Sequence, residues 1–204
     1  MLRVGLTGGL ATGKSFVGRT LASLGCHLIR NDDLGHAVML PGGEAYDGIV
    51  REFGTEILNP DGSIDRRKLA RLVFSDVHTS DRLSVLNALV HPPVRARTRA
   101  ELEAFEKTNP DGIAVVEAAI LIETGSFRDY EKLIVAVCGV EQQIERAMSR
   151  DGLTREEVLD RLSRQMPLAE KTRHADYVID TSGTRESTVA QTKTVYDALV
   201  NLKK

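Results

Sequence analysis

The stretch GLTGGLATGKS, residues 5–15, constrains what this chain can fold into more than any other. Apolar residues precede it, and Val17, Leu21 and Leu24 follow at helical spacing. A strand, a glycine-rich loop and a helix in that order call for a parallel sheet that buries the strand. Gly8-x-x-x-x-Gly13-Lys14-Ser15 fits the pattern G-x-x-x-x-G-K-[ST]. In such a loop the glycines let successive backbone N–H groups turn inward toward a nucleotide's phosphates. Lys14 reaches the outer phosphates, the Ser15 hydroxyl binds Mg2+, and the helix starting near Lys14 adds its positive end. The nucleotide-binding candidates are therefore Gly8, Gly9, Leu10, Ala11, Thr12, Gly13, Lys14, Ser15 and Phe16. Where the terminal phosphate goes stays open: water, a protein partner or a small molecule.

Short apolar runs at residues 2–7, 27–31, 113–121, 132–138 and 177–180 read as strands, several without polar alternation. Strands covered by helices on both faces look like that. Ile144, Ala147 and Met148 fall at helical spacing after the fourth run, and Val189, Val195, Leu199 and Leu202 near the end. The alternation predicts an α/β fold around a five-stranded parallel sheet with right-handed crossovers. Between the second and third runs, residues 33–110 show no strand pattern. There Leu69, Leu72 and Val73, then Leu83, Leu86 and Leu89, flank a turn at NPDGS. So long a crossover reads as a helical insertion. A second insertion is expected over residues 150–173, with Pro167 ending one helical stretch.

At 204 residues the chain is long enough for one domain with a full core. Its net charge of −2 lacks the basic excess of a general nucleic-acid binder. Cys26 and Cys138 have no Cys-x-x-Cys spacing and read as small buried apolar residues. The start MLRVGLTGG has no signal layout, and no apolar run reaches membrane-spanning length. The expected location is the cytoplasm, with no membrane partner.

Three readings compete for the terminal phosphate. A GTPase switch finds D-x-x-G at both Asp32 and Asp180, but no N-K-x-D guanine reader. A mechanical ATPase wants a strand ending in Asp, and the third run offers only Glu117. That carboxylate either assists Mg2+ through water or faces the crevice for other reasons. A small-molecule kinase explains more. Asp32, expected at the end of the second strand, stands where a doubly wound fold presents an acceptor hydroxyl. It either accepts that hydroxyl's proton or caps the next helix together with Asp33. Arg146 and Arg150, spaced i, i+4, share a helix face and on a lid would close over the triphosphate. A solvated salt-bridge helix would look the same, since residues 141–173 carry seven basic and seven acidic side chains.

The pieces GLTGGLATGKS, NDDLGHAV, FGTEILNPDGSIDRRKLARLVF, LNALVHPPVR, ERAMSRDGL, RLSRQMPLAEK and ADYVIDTSG, in this order and spacing, resemble the dephospho-coenzyme A kinases over nearly the whole length. The resemblance implies ATP and dephospho-coenzyme A as substrates, Mg2+, and phosphoryl transfer to a ribose 3′-hydroxyl. It implies a P-loop three-layer fold like that of nucleoside monophosphate kinases, as one domain over 1–204. Within it lie a helical acceptor-side insertion at 33–110 and a lid at 146–173. By position, Asp32 resembles the catalytic carboxylate, served by Lys14 and the lid arginines Arg146 and Arg150. His36, Arg66, His91 and Arg95, with Asp32, resemble acceptor-side residues. Asp180 to Gly183 resembles an adenine-side loop. The chain departs from the family's usual residues at several points. Arg30 stands for an aspartate, Ala119 for a proline and Thr181 for an asparagine. Ala11 stands for a glycine, which a negative φ would accommodate, and losing the proline at 119 is expected to loosen the backbone there. A kinase for another small acceptor, or a member that binds nucleotide and transfers little, are the alternatives.

Overall fold

The computed structural model describes residues 1–74 and 79–202. Residues 75–78 of the expected insertion, and 203–204 at the end of the expected domain, lie outside the described residues. In chain order the first elements are β1 (Leu2–Gly8), α1 (Lys14–Ser23), β2 (His27–Arg30), α2 (Asn31–Val38), α3 (Tyr46–Phe53), α4 (Arg66–Phe74) and α5 (Thr79–Thr108). Then come β3 (Ile113–Glu117), β4 (Lys132–Val137), α6 (Val140–Asp151), α7 (Arg155–Ser163), α8 (Leu168–Lys171), β5 (Tyr177–Asp180) and α9 (Arg185–Asn201). The chain divides into two compact units: Met1–Arg30 with Leu102–Lys204, and Asn31–Glu101.

The first unit is built on a five-stranded sheet in the order β2-β3-β1-β4-β5, every pair parallel. Strand β3 is buried along its whole length, which is why its sequence shows no polar alternation. Val4, Leu6, Val115, Ile134 and Ile179 face Val17 and Leu21 of α1 and Val195 and Leu199 of α9. A second cluster gathers Leu133 and Val135 with Ala118, Leu121 and Ile122. From β1 the chain leads toward β2, and from β4 toward β5. The carboxyl ends of these two neighbours are therefore the sheet's switch point, where open α/β sheets take ligands.

Several expected boundaries move. The third strand stops at Glu117 and not at residue 121, because Ala118, Leu121 and Ile122 bury their apolar side chains from a turn and not from a strand. An apolar run does not distinguish the two. The second strand stops at Arg30, since Asn31, Asp32 and Asp33 open a helix, where such residues favour the N-terminus. Pro167 does not end a helix: α7 closes at Ser163 and Pro167 is the N-cap of α8. Met148, Val189 and Leu202, expected on buried faces, are exposed. At Ala119, where the backbone is expected to be looser, the carbonyl accepts hydrogen bonds from Thr7 Oγ1 at 3.1 Å and Lys171 Nζ at 2.8 Å. Cys26 and Cys138 are both buried, and neither is in a disulfide.

The second unit packs Val38, Ile49, Phe53, Ile57, Leu69, Val73 and Val94 together. Its NPDGS turn is closed by an antiparallel bridge between Leu58 and Ile64, with Asp61 Oδ1 accepting Ser63 N–H at 2.9 Å. Asp65 accepts the N–H groups of Arg67 and Lys68 at 2.9 and 3.1 Å and so caps α4. Helix α5 continues through Pro92 and Pro93, giving up two backbone donors. Among the described residues no helix is long and apolar enough to cross a membrane.

Candidate active site

The phosphate loop leaves β1 at Gly8 and enters α1 at Lys14. A side chain at Gly8 would sit 2.5 Å from Thr12 Oγ1 and 2.7 Å from the Ala136 carbonyl, so only glycine fits. Gly13, at φ +79°, turns the chain into the helix. Ala11 has φ +55°, the one non-glycine residue with positive φ among the described residues. The negative φ that would accommodate an alanine there is not met, and this residue holds a left-handed conformation that costs an L-residue about 1–2 kcal/mol.

Lys14 Nζ lies 2.9 Å from Glu117 Oε1, and Ser15 Oγ donates to the same oxygen at 2.5 Å. Arg30 Nε stands 3.6 Å from Glu117 Oε2, with Arg30 directly opposite Glu117 in the β2–β3 register. Glu117 is only 2% exposed. Burial alone pushes its carboxyl up, but Lys14, the Ser15 hydroxyl and Arg30 outweigh burial and hold it below the ordinary carboxylate range. The carboxylate thus gathers both chemical groups of the loop. Ser15 Oγ and the Glu117 carboxylate are hard oxygen donors side by side, and Glu117 Oε2 is buried without a hydrogen-bond partner among the described residues. This donor set fits Mg2+, which takes one or two protein oxygens and completes its shell with phosphates and water.

The outer side of the loop is held from the segment that runs from α6 to β5. Gln143 Nε2 donates to the Leu10 carbonyl at 2.6 Å, and Gln165 Oε1 accepts the Leu10 N–H at 2.9 Å. Thr181 Oγ1 donates to the Thr12 carbonyl at 2.7 Å. Lys171, 0% exposed, places Nζ 3.4 Å from the Gly8 carbonyl and pairs with Glu123 Oε1 at 2.8 Å. The sequence reading named neither Gln143, Gln165 nor Lys171, because no local spacing marks partners 133 to 163 residues away. Gln143 lies on α6 and Lys171 ends α8, whereas Gln165 lies between α7 and α8.

The two lid candidates differ. Arg146 donates to Thr181 Oγ1 at 3.1 Å and to the Thr181 carbonyl at 2.7 Å, beside the loop. Arg150 is mostly exposed and forks onto Asp151 at 2.7 and 2.8 Å. Asp180 accepts Ser182 N–H at 2.8 Å, and Ser182 bonds hold its carboxyl below the ordinary range. Gly183 is exposed at the following turn, and Phe16 is half-buried in the first turn of α1.

The acceptor-side candidates belong to the second unit. Asp32 is exposed in the first turn of α2, not on a strand, and His36 lies one turn further on the same helix. Arg66 opens α4 and is exposed. His91 and Arg95 stand i, i+4 on α5. Burial, and then the Arg95 charge, push His91 below its ordinary value of 6.5.

Residues 2–187 match the family described as dephospho-CoA kinase. A dephospho-CoA kinase of Aquifex aeolicus is 40% identical over 200 residues, covering 98% of each chain. The crystal structure of TT1252 from Thermus thermophilus superposes with a TM-score of 0.83 at 32% identity, covering 98% of this chain and 97% of that one. A dephospho-CoA kinase from Campylobacter jejuni shares the fold, with a TM-score of 0.64 at 24% identity over 97% of this chain and 96% of that one.

Proposed function

The chain belongs to the dephospho-CoA kinase family, and from that membership we propose how its residues move the ATP γ-phosphate onto the ribose 3′-hydroxyl of dephospho-CoA. The observation that carries the reading is the pairing of Lys14 and Ser15 on Glu117 at the start of α1. When ATP enters, Lys14 exchanges the Glu117 carboxylate for the outer phosphates, and the loop's N–H groups take the rest. Ser15 would hold Mg2+, with Glu117 behind it through water. Bound there, the ion would supply neutralisation of the negative charge on the phosphates.

Arg30 remains beside Glu117 when Lys14 leaves, so the buried carboxylate keeps one counter-charge. Asp32 accepts the proton of the acceptor hydroxyl and aims its oxygen, since a loose transition state needs positioning more than a strong base. His36, Arg66, His91 and Arg95 bind the acceptor, the arginines toward its phosphates. His91 does so in its neutral form. Arg146 and Arg150 close over the triphosphate from a lid at 146–173 and exclude water. Asp180 and Gly183 line the adenine side. The reaction takes place in the cytoplasm without nucleic-acid or membrane partners.

The position of the new phosphate tests this reading. Phosphorus NMR of the product made from ATP and dephospho-CoA is expected to show a 3′-phosphomonoester, coupled to the ribose 3′ proton. A phosphate elsewhere on the acceptor, or free phosphate alone, contradicts it.

A further inference from the structure

We propose that Gln143, Lys171 and Thr181 are positioning residues that hold the Gly8, Leu10 and Thr12 carbonyls outward, so that the N–H groups of the same peptide units, at Gly9, Ala11 and Gly13, face the nucleotide. The proposal rests on the loop being the ATP site. Along the loop, every second carbonyl has a side-chain donor: Gly8 from Lys171 Nζ at 3.4 Å, Leu10 from Gln143 Nε2 at 2.6 Å, Thr12 from Thr181 Oγ1 at 2.7 Å. The intervening Gly9 carbonyl is taken within the loop by Thr12 Oγ1 at 3.0 Å. The Gly9–Leu10 peptide unit is the exception: its N–H is taken by Gln165 Oε1 at 2.9 Å and does not face the nucleotide. All three donor residues are buried, at 3% for Gln143, 0% for Lys171 and 5% for Thr181.

Peptide units in such a loop have two ways to face. A carbonyl oxygen turned inward meets phosphate oxygens of like charge, whereas an N–H turned inward meets them as a donor. Outward donors settle the choice before ATP arrives, which lowers the ordering cost of binding. Two further observations point the same way. Leu10 and Ala11 pack on Ile144, Ala147 and Val158 of α6 and α7, so the loop is gripped by apolar contact as well. Ala11 also sits at φ +55°, a strained conformation that persists only where the surroundings impose it. The charge of Lys171 is balanced by Glu123 Oε1 at 2.8 Å, so its ammonium can serve backbone carbonyls without leaving a lone buried cation.

The test compares Thr181→Val, Thr181→Ser, Gln143→Leu and Lys171→Met with the wild type. The readouts are kcat, the KM of each substrate and calorimetric titration with ATP. Losing one such donor is expected to weaken ATP binding and raise its KM by about tenfold, with the dephospho-CoA KM moving less than about twofold. Thr181→Ser keeps the hydroxyl and is expected to bind ATP within about twofold of wild type. Unchanged ATP affinity in Thr181→Val and Gln143→Leu overturns the proposal, as does an equal rise in both KM values. If Lys171→Met does not fold, the isosteric Thr181→Val decides alone. Lys14→Ala separates the premise from the proposal: full ATP use by that variant sinks the loop as the ATP site. Loss of ATP use there, with unchanged affinity in the donor variants, sinks only the positioning role.

Discussion

Asp32 and Ala11 are the residues where this chain's sequence and its structure test each other most closely. Asp32 opens α2 in a position that a helix cap or a hydroxyl-orienting carboxylate would both occupy. Substitution separates the two. Asp32→Asn keeps the size and much of the capping capacity but loses the proton acceptor, so turnover is expected to fall by about 10²–10⁴ with the ATP KM unchanged. Steady-state kinetics within about threefold of wild type would leave Asp32 as a cap only. Ala11 carries strain that a glycine would not. Ala11→Gly relieves the left-handed penalty and gives back part of it as unfolded-chain entropy, for a net gain of about 0.5–1 kcal/mol in unfolding free energy. A chemical denaturation series showing a loss instead would mean that the alanine methyl's contact with α6 and α7 outweighs the strain. The loop itself was legible from Gly8, Gly13, Lys14 and Ser15, because phosphate binding is local chemistry. The φ of Ala11 was not, since surrounding elements impose it.

The elements follow a similar division. Four of the five strands lie within a residue of where the apolar runs put them at either end: β1 and β4 are largely buried and keep an apolar signature, while the edge strands β2 and β5 each bury one central isoleucine, Ile29 and Ile179. The third ran long, at residues 118–121, because a buried turn and a buried strand select the same side chains. Partners such as Lys171 and Glu123 escaped notice because tertiary register, not spacing, brings them together. Helix α6 supports a prediction of its own. Arg146→Ala removes two hydrogen bonds to Thr181 and the proposed lid charge, so transfer is expected to fall by about tenfold or more. The share of ATP lost to water should rise, and equal partitioning in variant and wild type would return Arg146 to a purely structural role. On α5, His91 has a folded value below its ordinary 6.5. The unfolded chain therefore takes up the proton first as pH falls. Stability present above 6.5 is lost as pH drops through that value toward the folded one. Thermal melts from about pH 8 to about pH 5.5 are expected to show this decline, and His91→Gln to flatten it. An unchanged slope in His91→Gln would assign the decline to other groups.

At the scale of the whole molecule, the sheet order β2-β3-β1-β4-β5 brings the loop after β1 next to the end of β4, and this is what recruits Gln143, Arg146 and Thr181 to it. The second unit, Asn31–Glu101, has its own core and carries all the acceptor-side candidates. A chain that is 40% identical to a dephospho-CoA kinase over 98% of its length keeps both parts. Its departures at Arg30, Ala11, Ala119 and Thr181 each have a place in the structure: a counter-charge for Glu117, a strained loop residue, a carbonyl held by Lys171, and a hydroxyl on the loop. The central claim is that phosphate leaves ATP for this acceptor and not for water. ADP release measured with and without dephospho-CoA tests it most directly. The account predicts rapid release that requires dephospho-CoA and yields one coenzyme A per ADP. Release at the same rate without the acceptor, or a greater stimulation by a nucleoside monophosphate, would contradict it.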